Sequence, residues 1–155
     1  MKPTKFIPAI IAFTFFFLLV GKSFFDNFEP AYTFPHWEHG ASGYQLALKE
    51  AKASNKPLIV YFHTSWCGWC KKLDRNYLAT FKAEEFLRTI PKVEINPDKG
   101  EAEKVLFKEF GLTGYPAFLL LNPKDLQSPI HLSPFVNGRD LSVDEFLDEI
   151  RRGMV

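Results

Sequence analysis

At 155 residues the chain is long enough for one domain, or one domain with an appendage. A content of 46% hydrophobic and 24% charged residues excludes a disordered, collagen-like or low-complexity chain. Two Cys exclude a disulfide framework and a four-Cys zinc site, and a net charge of +1 removes the electrostatic case for nucleic-acid binding.

In chain order, Lys2 and Lys5 precede an uncharged run from Phe6 to Val20, FIPAIIAFTFFFLLV. Its length suits the apolar region of a signal peptide, and adding Gly21 with a snorkelling Lys22 brings it near the lower limit of about 17 residues for a membrane span. No A-x-A-like cleavage site follows, so residues 1–21 are expected to form an uncleaved hydrophobic anchor helix, with a cleaved signal as the alternative. The positive-inside rule keeps the N-terminus in the cytoplasm and exports the rest. The domain is then expected in the periplasm, held at the inner membrane through residues 6–21 or soluble after cleavage. Residues 22–40 show neither strand nor helix period and read as a linker, its aromatic residues lying on the membrane surface or on the domain.

The domain is expected over 41–155. Ser42-x-x-Gln45 has the form of a capping box, and Tyr44, Ala47, Leu48 and Ala51 follow at helical spacing until Asn55 and Pro57 stop the helix. Leu58–Phe62 is a continuous apolar run that fits a central strand buried on both faces. A second helix is expected from Trp66–Cys67 through Tyr77, and a further helical stretch over 83–89. Val93–Ile95 predicts a short strand, ended by the turn residues 96–100. A helix follows over Glu101–Phe110, with Gly111 as its stop. Strands are predicted at Ala117–Leu121 and His131–Val136, the second at an edge because of Pro134, with a turn at Asn137-Gly138. Ser142-x-x-Glu145 opens a last helix whose apolar face is Val143, Phe146, Leu147 and Ile150. Strands alternating with helices predict a three-layer α/β sandwich on a mixed sheet.

Both cysteines, Cys67 and Cys70, lie three apart between the buried strand and the helix that follows. Positions i and i+3 share a helix face, so the sulfurs can meet. The first sits where backbone N–H groups are unpaired and the helix dipole is positive, which favours a thiolate. Cys67 is therefore expected to be the exposed attacker of a client disulfide and Cys70 the resolving thiol. Such exchange needs no cofactor. Gly68 and Trp69 between the cysteines tune the reaction, and Lys71 adds positive charge nearby. A structural crosslink and a zinc site drawing on His36, His39, His63 or His131 remain as bland alternatives. The first closes almost no loop, and the second lacks finger spacing.

Trp66-Cys67-Gly68-Trp69-Cys70-Lys71 resembles the WCxxCK motif of the thioredoxin superfamily, and Gly114-Tyr115-Pro116 before a strand resembles its cis-proline loop. The resemblance covers roughly residues 42–152. Within the superfamily the chain is similar to exported thioredoxin-like domains, such as the C-terminal domain of a membrane thiol:disulfide electron transporter. The resemblance implies a cis Tyr115–Pro116 bond beside Cys67, backbone groups of Tyr115 offered to a client strand, and Trp66 as a platform beside the disulfide. It also marks a departure. Tyr61 occupies the position of a buried Asp that in many thioredoxins helps deprotonate the second Cys. A carboxylate is therefore missing there; Glu94 reads as a substitute or as an exposed edge residue, and His63 as a strand-end polar residue or, four before Cys67, as one near the site that perturbs it.

These observations predict a membrane-tethered thiol–disulfide oxidoreductase that reduces exported proteins and draws electrons from a membrane donor. Oxidase and isomerase directions, and a non-catalytic binding module on the same scaffold, are the alternatives.

Overall fold

The computed structural model describes residues 32–154 except Asn137, so the anchor expected over 1–21 and most of the expected linker lie outside the described residues. Among the described residues no helix is long and apolar enough to cross a membrane.

The elements run β1 (Glu38–His39), α1 (Gly40–Ser54), β2 (Leu58–Phe62), α2 (Gly68–Leu73), α3 (Phe81–Leu87), β3 (Lys92–Ile95), α4 (Glu101–Glu109), β4 (Ala117–Asn122), β5 (Asp125–Leu132), β6 (Phe135–Val136), β7 (Arg139–Asp140) and α5 (Val143–Gly153). Five strands form one mixed sheet in the order β1-β3-β2-β4-β5. β3 runs parallel to β1 and β2, whereas β4 runs antiparallel to β2 and β5. β6 and β7 make a separate small hairpin.

All five residues of β2 are buried because helices cover both faces of the sheet. The two-residue period of the strands sorts them into two cores. Ile59, Tyr61, Phe118 and Leu120 pack with Leu73, Leu87, Phe146 and Ile150, on the side of α2, α3 and α5. Leu58, Val60, Phe62, Leu119 and Leu121 pack with Tyr44, Ala47, Ala51 and Leu106, on the side of α1 and α4. The result is the expected three-layer sandwich. Truncating the fully buried Leu119 to Ala should cost about 2–5 kcal/mol. Chemical denaturation checks this, and a loss well under 1 kcal/mol would contradict a close-packed second core.

Several local expectations are corrected. The first helix starts at Gly40, so Ser42 lies inside it and forms no capping box. The reason is tertiary: β1 ends at His39, the chain turns at Gly40 with φ +66, and Glu103 Oε1 accepts the Ala41 N–H at 3.0 Å in place of a local cap. Gly43 allows the close approach to β1, since a Cβ there would meet the Glu38 backbone at 3.0 Å. The stretch read as linker supplies β1 itself, and its Phe34 and Trp37 are buried in the first core. The helix after the cysteines is not regular to Tyr77; α2 passes into one π-helical turn over Asp74–Leu78. The strand predicted over 131–136 is two elements. β5 begins at Asp125 and carries Pro129 at the sheet edge, while Pro134 lies in the break before β6. By contrast the Ser142–Glu145 capping box forms reciprocally, with bonds of 3.2 and 2.7 Å.

Candidate redox-active site

The site lies beyond the C-terminal end of the central strand β2, where the chain crosses into α2. Cys67 caps α2: it has extended backbone angles, and its Sγ accepts the Cys70 N–H at 3.1 Å. Its own N–H bonds Thr64 O at 3.2 Å, which fixes the tight turn out of the strand. One turn on, Cys70 faces the core. The two cysteines are joined as a disulfide, with Cα atoms 5.2 Å apart. Cys70 is fully buried and Cys67 is 6% exposed. Cys67 is thus less open than the sequence implied, because its sulfur leans on Cys70, but it is the member of the pair that reaches the surface.

That surface is a groove of about 390 Å³, lined by Trp66, Cys67, Trp69, Phe107, Thr113 and Tyr115 among others. Trp66 is two-thirds exposed; its Nε1–H donates to Asp98 Oδ2 at 2.8 Å and its ring meets Tyr115 edge-on at 5.8 Å. Tyr115 rests on Phe107, 4.7 Å between centroids. The Tyr115–Pro116 bond is cis, and Pro116 is half-buried. On the opposite side Trp69 is exposed and packs on Phe135 of β6 at 5.0 Å. Gly68 and Lys71 face solvent. The cation fixed at the site is Lys72, whose Nζ lies 5.0 Å over Trp69, 5.2 Å over Phe135 and 2.6 Å from Asp140 Oδ2.

Tyr61 brings a buried carboxylate, Asp74, to its hydroxyl. Tyr61 O–H donates to Asp74 Oδ1 at 2.8 Å and also lies 3.5 Å from the Cys70 carbonyl. Asp74 follows Cys70 by one helical turn and is buried. Burial pushes its carboxyl up to about 6, against the opposing pull of the Tyr61 hydrogen bond and of His63. The sequence did hold a signal. Cys70, Leu73, Asp74, Tyr77 and Leu78 stand at i, i+3, i+4, i+7 and i+8, so the acid sits within the buried stripe rather than on a solvated face.

Glu94 is not an exposed edge residue. Its carboxylate bridges His63 Nε2 at 2.5 Å and His39 Nδ1 at 2.6 Å. Burial alone would raise its pKa, but these two contacts prevail and hold it below the usual carboxylate range. His63, which the sequence left between a strand-end residue and one beside the site, stacks on Tyr61 with centroids 5.0 Å apart and planes 17° from parallel. Among the described residues no group of three or more His, Cys, Asp or Glu has the geometry to hold a metal ion.

A thioredoxin-like family model matches residues 38–123. The protein disulfide-isomerase erp38 of Neurospora crassa is 36% identical over 97 residues, 62% of this chain and 25% of that protein. The thiol:disulfide interchange protein DsbD of Ralstonia nicotianae is 24% identical over 110 residues, 70% of this chain and 17% of that protein. The chain therefore spans a quarter or less of the length of these curated relatives. The oxidised C-terminal domain of Neisseria meningitidis DsbD superposes with a TM-score of 0.58 at 18% identity, covering 75% of this chain and 97% of that one. The family match takes in β1 to β4 and both cysteines, more than half of the sequence: the chain belongs to the thioredoxin-like family, with its two cysteines joined as a disulfide three residues apart.

Proposed function

We propose that this domain reduces disulfides of exported proteins through Cys67 and Cys70, from a position tethered to the outer face of the inner membrane. The observation that carries the reading is the asymmetry of the pair: Cys67 caps a helix at the floor of a groove, and Cys70 is sealed behind it.

The reduced pair acts in two steps. The Cys67 thiolate, held by the Cys70 N–H and the positive end of α2, attacks one sulfur of the client disulfide. A Cys67–client bond forms, the client disulfide breaks, and one client thiolate leaves. Cys70 then gives up its proton, attacks Cys67 Sγ and displaces the second client thiolate. Asp74 is the acceptor for that proton. Two electrons pass from the Cys pair to the client, and the Cys67–Cys70 disulfide is the product. A membrane dithiol donor returns the electrons by the same exchange in reverse. Trp66 and Tyr115 hold the client strand on one side of the groove, and Trp69 bounds it on the other.

The basic N-terminus ahead of the apolar run 6–21 supports the tether and the exported location. The names of the curated relatives support exchange chemistry, and protein disulfide-isomerase among them favours isomerisation as the second reading. Insulin reduction driven by dithiothreitol tests the proposal. Wild type should accelerate precipitation, and the Cys67→Ser, Cys70→Ser double variant should not. Equal rates would leave a binding module as the better reading.

A further inference from the structure

We infer that His63 and Glu94 are positioning residues that bias the charge of Asp74 in opposite directions, with Tyr61 as the fixed link between them and Asp74. The inference deepens the proposed function, because it rests on Asp74 serving Cys70.

The sheet register makes the arrangement. Tyr61 of β2 lies opposite Glu94 of β3, so both project from the same face. His63, two residues beyond Tyr61, returns to that face and stacks on its ring. Tyr61 turns its hydroxyl the other way, to Asp74. The order is therefore His39, Glu94, His63, Tyr61, Asp74, joined by contacts of 2.6 Å, 2.5 Å, a ring stack and 2.8 Å. One end opens on a cavity of about 510 Å³, with His39, His63 and Glu94 in its lining and Lys99 and Glu103 beside them. The other end is buried, one turn from Cys70.

Three side chains enter the balance at Asp74. His63 favours its ionised form and Glu94 opposes it, and the Tyr61 hydroxyl bonds the ionised form. Asp74 in turn acts on the Tyr32 hydroxyl, which is bonded to Leu78 O and Glu84. Around Glu94 the partners are His39 from β1 and His63. A latch that served only to fasten β1 to β3 would need no contact with Tyr61. The ring stack of His63 is what makes the cluster part of the redox centre.

The experiment follows release of a peptide thiol from its mixed disulfide with Cys67 across pH, for wild type, Asp74→Asn, His63→Gln and Glu94→Gln, together with NMR titration of the Asp74 side-chain carboxyl in the same proteins. The expected result is a release profile with a bend near pH 6 in wild type, absent in Asp74→Asn, moved up in His63→Gln and down in Glu94→Gln. The NMR titration should move with the same two signs. Shifts of one sign in both variants, or none, overturn the inference even where Asp74→Asn has removed the bend. A bend that survives Asp74→Asn refutes the acceptor role instead. The NMR signs then still decide whether the cluster sets the charge of Asp74. Should His63→Gln misfold, Glu94→Gln alone gives a downward shift or refutes the link.

Discussion

Cys70→Ser should accumulate covalent complexes with client proteins, and Cys67→Ser should accumulate none. The two sulfurs differ in access and in electrostatic setting. Cys67 retains contact with the groove and receives the Cys70 N–H, while Cys70 has no exposed surface. A cap position of this kind lowers a thiol pKa from about 8.5 into the range of roughly 3.5–7.5. At a value of about 7 the thiolate fraction at neutral pH rises from roughly 3% to roughly 50%. Without Cys70 the first exchange still occurs, but nothing inside the domain can displace the client. Without Cys67 the remaining thiol cannot reach a folded client at all, and activity falls to the uncatalysed level. Trapping in native membranes, followed by non-reducing electrophoresis and mass spectrometry, reads both variants. Equal yields from the two would refute the assignment of attacker and resolver.

Asp74→Asn should slow client release above pH 6 by a factor on the order of 10², the usual range for loss of a positioned proton acceptor. The same change should make the folded domain more stable at alkaline pH. Burial raises the Asp74 carboxyl to about 6 in the folded protein, against about 3.9 in an unfolded chain. Below pH 4 the group is protonated in both states and costs nothing. As pH rises through 6 the folded state must hold a buried charge that the unfolded state holds freely, so stability is lost over that interval. The penalty is of order 2 kcal/mol after allowance for residual solvent screening, and asparagine removes it while keeping an acceptor oxygen for the Tyr61 hydroxyl. Denaturation at pH 4 and pH 8 should show the variant gaining only at the higher pH. A gain of equal size at both would mean that charge is not the cause.

What could be read from the sequence follows the range of the forces involved. β2 was legible because five consecutive apolar residues have no other stable place than a doubly covered strand. The start of α5 was legible because Ser142 and Glu145 satisfy each other within four residues. The meeting of the Cys67 and Cys70 sulfurs was legible because their spacing and their place between strand and helix are local facts. The start of α1 was not, since its cap is Glu103, distant in the chain. β1 has two residues and no pattern of its own; only its pairing with Val93 and Glu94 makes it a strand. Glu94 could not be told from an edge residue because β1, which pairs beside it, was not foreseen. Asp74 was missed for another reason: a charged residue on a helix is read as solvated unless the buried stripe through Cys70, Leu73 and Tyr77 is counted first.

The placement of β1 has a further consequence. A five-stranded sheet has two borders, and each is a row of unpaired amides that invites a strand from another molecule. Here one border is only Glu38 and His39, too short to template a foreign chain, and the other is β5, where Pro129 removes an N–H donor. Under the function proposed above, extended client segments enter at the disulfide groove, while the two borders keep the sheet itself from growing on either side.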